Sequence, residues 1–136
     1  MIICLFLWKF LKINIMWNDW EQQLRDNPDV EIDKRLLWEY DMTDFDWQKS
    51  RHIVVERVIN VGGVNPQVNM LALFKMYGGY DGVKKIILNE VIRFSNFGEE
   101  YVCEAFHMKR EDLKSYKRKQ ERIKLFGEPV DKTDWW

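Results

Sequence analysis

The chain is poor in several features, and each shortage excludes a class of protein. Cys4 and Cys103 are its two cysteines. They build neither a disulfide framework nor a metal-finger spacing, and reduced thiols in a cytosolic protein are the simplest reading. Charge excess is almost absent: the formal net charge is −1, which marks out neither a nucleic-acid binder nor an acidic tail. No Walker loop, GxGxxG fingerprint, nucleophile elbow or HExxH motif occurs, so catalysis has no local signature. Internal repeats and low-complexity tracts are lacking as well.

What remains is a chain of 136 residues, 46% hydrophobic and 15% aromatic. That suits one domain with an ample core. Seven tryptophans are many for this length, and Trp17, Trp20, Trp38 and Trp47 are expected to pack or to sit at an interface. The near-neutral total hides an uneven distribution. Residues 26–108 carry 9 basic and 14 acidic side chains, whereas residues 109–124 carry 8 basic and 3 acidic ones. An acidic body therefore precedes a basic segment.

The opening MIICLFLWKFLKINIMW resembles a targeting segment without fitting one. Its apolar run starts at once, with Lys9 and Lys12 placed inside and after it, the reverse of a signal peptide. It is also shorter than the roughly 20 apolar residues of a spanning helix. Three readings stand: a true start at Met16, an apolar element packed on the body, or a membrane-surface anchor. The division expected is an apolar extension at 1–16, a helical core at 17–108, a basic amphipathic helix at 109–126 and a tail at 127–136 ending in Trp135 and Trp136.

The stretch Asp46 to Asn60 organises the core. Ile53, Val54, Val55, Val58 and Ile59 make it densely apolar, and a helix would gather Lys49, His52, Glu56 and Asn60 on one polar stripe. Thr43, Asp44 and Asp46 offer N-caps and Gly62-Gly63 a stop. Asn65-Pro66 then starts a helix running to about Tyr77, ended by Gly78-Gly79. The spacing of Tyr80, Val83, Ile87, Val91 and Phe94 predicts another helix over 80–94, with Lys85, Asn89 and Arg93 in a separate line. Ser95 to Gly98 reads as a turn, and a short aromatic helix follows from Glu99 to Met108. In the segment 109–126, Leu113, Tyr116, Ile123 and Phe126 fall on one side, and Arg110, Lys114, Lys117, Arg118 and Arg122 mostly on another.

Three constellations bear on function. The two helices joined at Gly78-Gly79 have helix-turn-helix proportions, with Lys85, Asn89 and Arg93 as a candidate groove-reading line; an ordinary helical hairpin is the competing reading. Arg110, Lys114, Lys117, Arg118 and Arg122, with Tyr116 among them, suit phosphates and a stacked base, or an acidic partner protein. Cys103 with His107, and His52 with Glu56, are i, i+4 pairs that could pass for half a metal site and for a general base with its orienting carboxylate. Structural roles are the expectation for both, with no metal, no cofactor and no catalytic residue.

From Leu36 to Gln120 the chain resembles a family of short bacterial proteins carrying a domain of unknown function. The landmarks are LLWEYD (Leu36 to Asp41), FDWQKSRHIVVERVINVG (Phe45 to Gly62), MYGG (Met76 to Gly79), VKKIILNEVIRFSNFGEEYVCEAF (Val83 to Phe106) and DLKSYKRKQ (Asp112 to Gln120). Such proteins are often encoded beside a nucleotidyltransferase-type toxin. The resemblance implies an all-α fold and an antitoxin-like role in a toxin-antitoxin system; it carries over no catalytic residue. The chain departs from the pattern in its extended N-terminus, in Gly63 to Asn69 and in the tail beyond Gln120.

The expectation is a compact all-α bundle of about five to six short helices, cytoplasmic and non-catalytic. Its partner would be a protein, a nucleotidyltransferase-type toxin, with Trp38, Trp47 and Tyr116 as interface aromatics. The alternative is a DNA-binding regulator acting through Lys85, Asn89, Arg93 and the cations at 110–122. No membrane and no small-molecule ligand is expected.

Overall fold

A computed structural model describes residues 17–63 and 65–128; the apolar extension, Val64 and the tail with Trp135 and Trp136 lie outside them. The described residues form six α-helices and no strand, an all-α bundle as the patterning predicts. The helices are α1 (Trp20–Asp26), α2 (Arg51–Val61), α3 (Pro66–Met76), α4 (Gly79–Asn89), α5 (Asn96–Phe106) and α6 (Lys114–Phe126), with 3-10 turns at Trp17–Asp19, Lys34–Leu37 and Arg110–Asp112. None is long and apolar enough to cross a membrane.

Helix α2 is central, packing against α3, α4, α5 and the Lys34–Leu37 turn. Val54, Val55, Val58 and Ile59 are its buried residues, which is why it looks apolar on several sides. It is shorter than expected. Asp46 accepts from the Gln48 and Lys49 amides and so holds a separate turn, and the α-helix begins only at Arg51. Gly62 and Gly63, both at positive φ, stop it.

Asn65 caps α3 by accepting from the Val68 amide, with Pro66 as the first helical residue, as read from the sequence. The α3–α4 hairpin turns through Gly78 in the left-handed region. Gly79 must lack a side chain: a Cβ there would stand 2.5 Å from the Trp20 ring. Phe74 on α3 gathers the aromatic core. Its ring centroid lies 5.1 Å from Trp17, 5.6 Å from Trp20 and 6.2 Å from Phe106. Tyr80 stacks at 4.9 Å on Phe106 and donates its hydroxyl to the Ala105 carbonyl at 2.8 Å, tying α4 to α5.

Two expectations fail here. Helix α4 ends at Asn89, not at Phe94. Val91 and Phe94 are buried as the apolar stripe suggested, but they lie on an irregular segment. Tertiary bonds need that backbone: the Phe94 amide donates to Ser115 Oγ at 3.0 Å and the Ser95 amide to Asn60 Oδ1 at 3.0 Å. Lys114 Nζ meanwhile donates to the Asn89 carbonyl. Second, the segment 109–126 is a 3-10 turn and a helix parted at Leu113. The residues that α6 buries are Ser115 and Lys119, while Phe126 is 81% exposed. The expected apolar side docks only in part: Leu113 is buried and Tyr116 and Ile123 are half-buried beside these polar residues.

Candidate functional site: the basic helix and the aromatic edge

Helix α6 is held by a polar core that sequence reading missed. Ser95 caps α5 by accepting from the Gly98 amide at 3.0 Å, which sets Glu99 in the first turn. There Glu99 is 1% exposed. Its carboxylate takes Lys119 Nζ at 3.1 Å, Arg110 Nε at 3.0 Å and the Ser115 hydroxyl at 2.6 Å. Lys119 Nζ also donates to the Phe94 carbonyl at 2.7 Å and to Asn96 Oδ1 at 3.1 Å. Burial lowers the Lys119 pKa, and the Glu99 carboxylate draws it back up. A buried charge is tolerated when paired and hydrogen-bonded in this way. The available signal was the i, i+4 spacing of Ser115 and Lys119, which puts both on one face of the helix.

The candidate contact residues consequently divide. Arg110 is engaged with Glu99 and with the Asn96 carbonyl, and Lys114 closes the end of α4. Lys117 and Arg122 are exposed on α6, and Tyr116 is half-buried against the core. Lys85 and Asn89 are exposed on α4. Arg93 lies beyond the end of that helix, so the three make no continuous line along one helix. Asn60 Nδ2 holds the Arg93 carbonyl at 3.1 Å.

Arg93 nevertheless has company. Arg118 on α6 is half-buried, and its Nη1 is sealed from solvent with no hydrogen-bond partner. Burial, then the cations of Arg93 and Arg122, lower its pKa, and Glu56 opposes them. Glu56 is itself pushed up by burial, against the pull of Arg57, Arg93, His52 and Arg118. His52 and Glu56 thus stand beside a cationic cluster, a setting that a two-residue acid–base reading does not anticipate.

A second surface lies across the molecule's 3-10 turn at Lys34–Leu37. Trp38, just after it, is 79% exposed. Arg57 of α2 braces this turn, donating to the Leu36 carbonyl at 3.1 Å and pairing with Glu39. Tyr40, Phe45 and Trp47 continue as an edge-to-face aromatic row, with centroids 5.6 and 4.9 Å apart. Trp47 is half-buried, and its carbonyl accepts from the Tyr77 hydroxyl at 2.9 Å.

The described residues contain no group of three or more His, Cys, Asp or Glu able to hold a metal ion. His107 falls on the left-handed C-cap of α5 at φ 54°, off the helical face that carries Cys103. Burial pushes the Cys103 thiol up, away from the reactive thiolate.

Residues 32–87 match the model of a family described as "Family of unknown function (DUF6922)". A search of the curated proteins and a search of the solved structures each gave no match. The matched segment holds the braced turn with Trp38, the aromatic row and the α2–α3–α4 core; Arg93 and α6 lie past it. Over 32–87 the chain is therefore similar to a domain of unknown function.

Proposed function

We propose that this protein is a non-catalytic interaction module that docks a partner protein through the aromatic edge around Trp38. The observation that carries the reading is an indole 79% exposed on a turn that Arg57 braces at two points. An exposed tryptophan contributes little to a core, yet a rigidly presented one is a typical interface anchor. It lies within the segment similar to the family of unknown function. The resemblance of the longer stretch from Leu36 to Gln120 supplies the partner's class: a nucleotidyltransferase-type toxin, toward which this chain acts as antitoxin.

Affinity purification of the tagged protein from its own host at near-physiological salt tests this, with mass spectrometry and nucleic-acid quantification on one eluate. A stoichiometric nucleotidyltransferase, lost from the Trp38→Ala variant, is the expected result. Recovery of the protein without one overturns the reading.

A second reading, binding of DNA, is favoured by the exposed Lys117, Arg122 and Lys124 on α6. It requires affinity that falls steeply with salt, because each phosphate contact releases counterions. Loss of α6 charge through Lys117→Glu with Arg122→Glu would then weaken binding to any sequence.

A further inference from the structure

Three arginines are brought into one neighbourhood where the segment that follows α4 is clamped to α6. The Arg93 carbonyl is fixed to Asn60 on α2 at 3.1 Å. The next residue, Phe94, is clamped to α6 through Ser115 Oγ at 3.0 Å and Lys119 Nζ at 2.7 Å. Arg118 and Arg122 each follow one of those clamping residues by three positions, so they neighbour it on the helix surface. Arg118 and Arg122 are themselves one turn apart. On α2, Glu56 sits one turn before Asn60.

Three acidic side chains are committed elsewhere, while Glu121 lies exposed on α6 three positions after Arg118 and so neighbours it. Among the described residues, Glu90 pairs with Arg51, Glu39 with Arg57, and Glu99 with Arg110 and Lys119. Glu56 is near enough to be felt by Arg93 and Arg118 but forms no ion pair with either. Arg118 Nη1 is left sealed and unpartnered beside two further cations. A fold rarely leaves a buried guanidinium donor unmet. The missing group must accept hydrogen bonds from nitrogen and carry negative charge, and it must suit the planar fork of arginine. A tetrahedral oxyanion does all three.

We propose that Arg93, Arg118 and Arg122 form a binding site for a phosphate-class oxyanion in the seam between the Val91–Ser95 segment and α6. Arg118 supplies the unpartnered donor, its half-buried side chain turning outward to bring the sealed Nη1 to the anion, and Arg93 and Arg122 flank it from the two sides of the seam. His52 and Glu56 face the same region from α2, and Glu56, together with Glu121 on α6, limits the affinity by repelling the anion. The site stands independently of the aromatic edge, so either can fail without the other.

The test uses the full chain at constant ionic strength. Inorganic phosphate is titrated by calorimetry and by backbone amide shifts, and a short single-stranded oligonucleotide follows in a second series. Saturable phosphate binding is expected, perturbing the amides of Arg93 and Arg118. Arg118→Gln should weaken it about tenfold or more, the range for a lost hydrogen bond to a charged group. Arg122→Gln, which alters an exposed side chain and spares the fold, should weaken it several-fold, and Glu56→Gln should strengthen it.

If the oligonucleotide binds much more tightly with the same arginine dependence, the phosphate belongs to a nucleic-acid backbone. If phosphate binds and the oligonucleotide does not, it is a free phosphate group. Absence of saturable binding of either probe up to about 10 mM, or binding indifferent to both Arg118→Gln and Arg122→Gln, overturns the proposal.

Discussion

Lys119 Nζ and Glu99 Oε2 lie 3.1 Å apart, and the two residues are 2% and 1% exposed. This pair joins the last helix to the first turn of α5 and makes the docked face of α6 partly polar. Its energetics are asymmetric. Removing one partner strands the other charge away from water, whereas removing both leaves none.

Glu99→Ala should therefore destabilise the protein by about 3–5 kcal/mol, in the range for breaking a buried ion pair. Glu99→Leu combined with Lys119→Met should cost less than the sum of the two single changes. Urea unfolding followed by circular dichroism reads both. Strict additivity would show that the pair is not coupled.

The Asn60 junction gives a steric prediction. A Cβ at Gly98 would stand 2.7 Å from Asn60 Oδ1, the atom that accepts from the Ser95 amide. Gly98→Ala should destabilise by roughly 1–3 kcal/mol, as over-packing does, despite the better helix propensity of alanine. Added stability in thermal unfolding would contradict the contact.

Alkaline titration probes two phenols, one buried and one half-buried. Burial pushes Tyr77 and Tyr101 up to about 12 from an ordinary value of 10.0. Between those values the unfolded chain has given up both protons while the folded chain keeps them. Their contribution is fully present below about pH 10 and is lost as pH rises toward 12. Each phenol then costs about 1.4 kcal/mol of stability per pH unit. Urea midpoints at about pH 9 and about pH 11 should differ accordingly, and Tyr77→Phe should flatten the slope. Phenolate absorbance rising fully near the ordinary value would refute the shift.

At Trp38, stability and binding should separate. Trp38→Ala should change unfolding stability by no more than about 0.5 kcal/mol, as expected of an exposed side chain. Partner affinity should fall by about 2 kcal/mol or more. Arg57→Met, which releases the turn from below, should weaken binding with Trp38 intact. A Trp38→Ala protein that unfolds readily would make this residue a structural one.

Boundaries written in local chemistry were legible. Asn65-Pro66 starts α3, Gly78 turns the hairpin and Gly62-Gly63 stops α2. Each acts through a cap or a backbone conformation that a few adjacent residues determine. The end of α4 was not legible, because no glycine or proline marks it. Asn60, Ser115 and Lys114 mark it instead, from other elements. The face of α6 was legible only in part, for a related reason: Leu113 is buried and Tyr116 and Ile123 half-buried, but Ser115 and Lys119 dock beside them. Leu113, Tyr116, Ile123 and Phe126 satisfy the helical period, but period says nothing of which face meets a charged partner.

By itself, then, the sequence determined an all-α chain, its central helix, its hairpin and its segregation of basic charge. These follow from periodicity, capping and composition, which are properties of neighbours along the chain. Only the tertiary structure decided that Lys119 is core and Lys117 surface, that Arg110 is tied to Glu99, and that Arg93 comes near enough to Arg118 for their charges to interact. Those outcomes depend on which side chains from distant segments share one space away from water, where a charge must find its partner or leave a donor waiting.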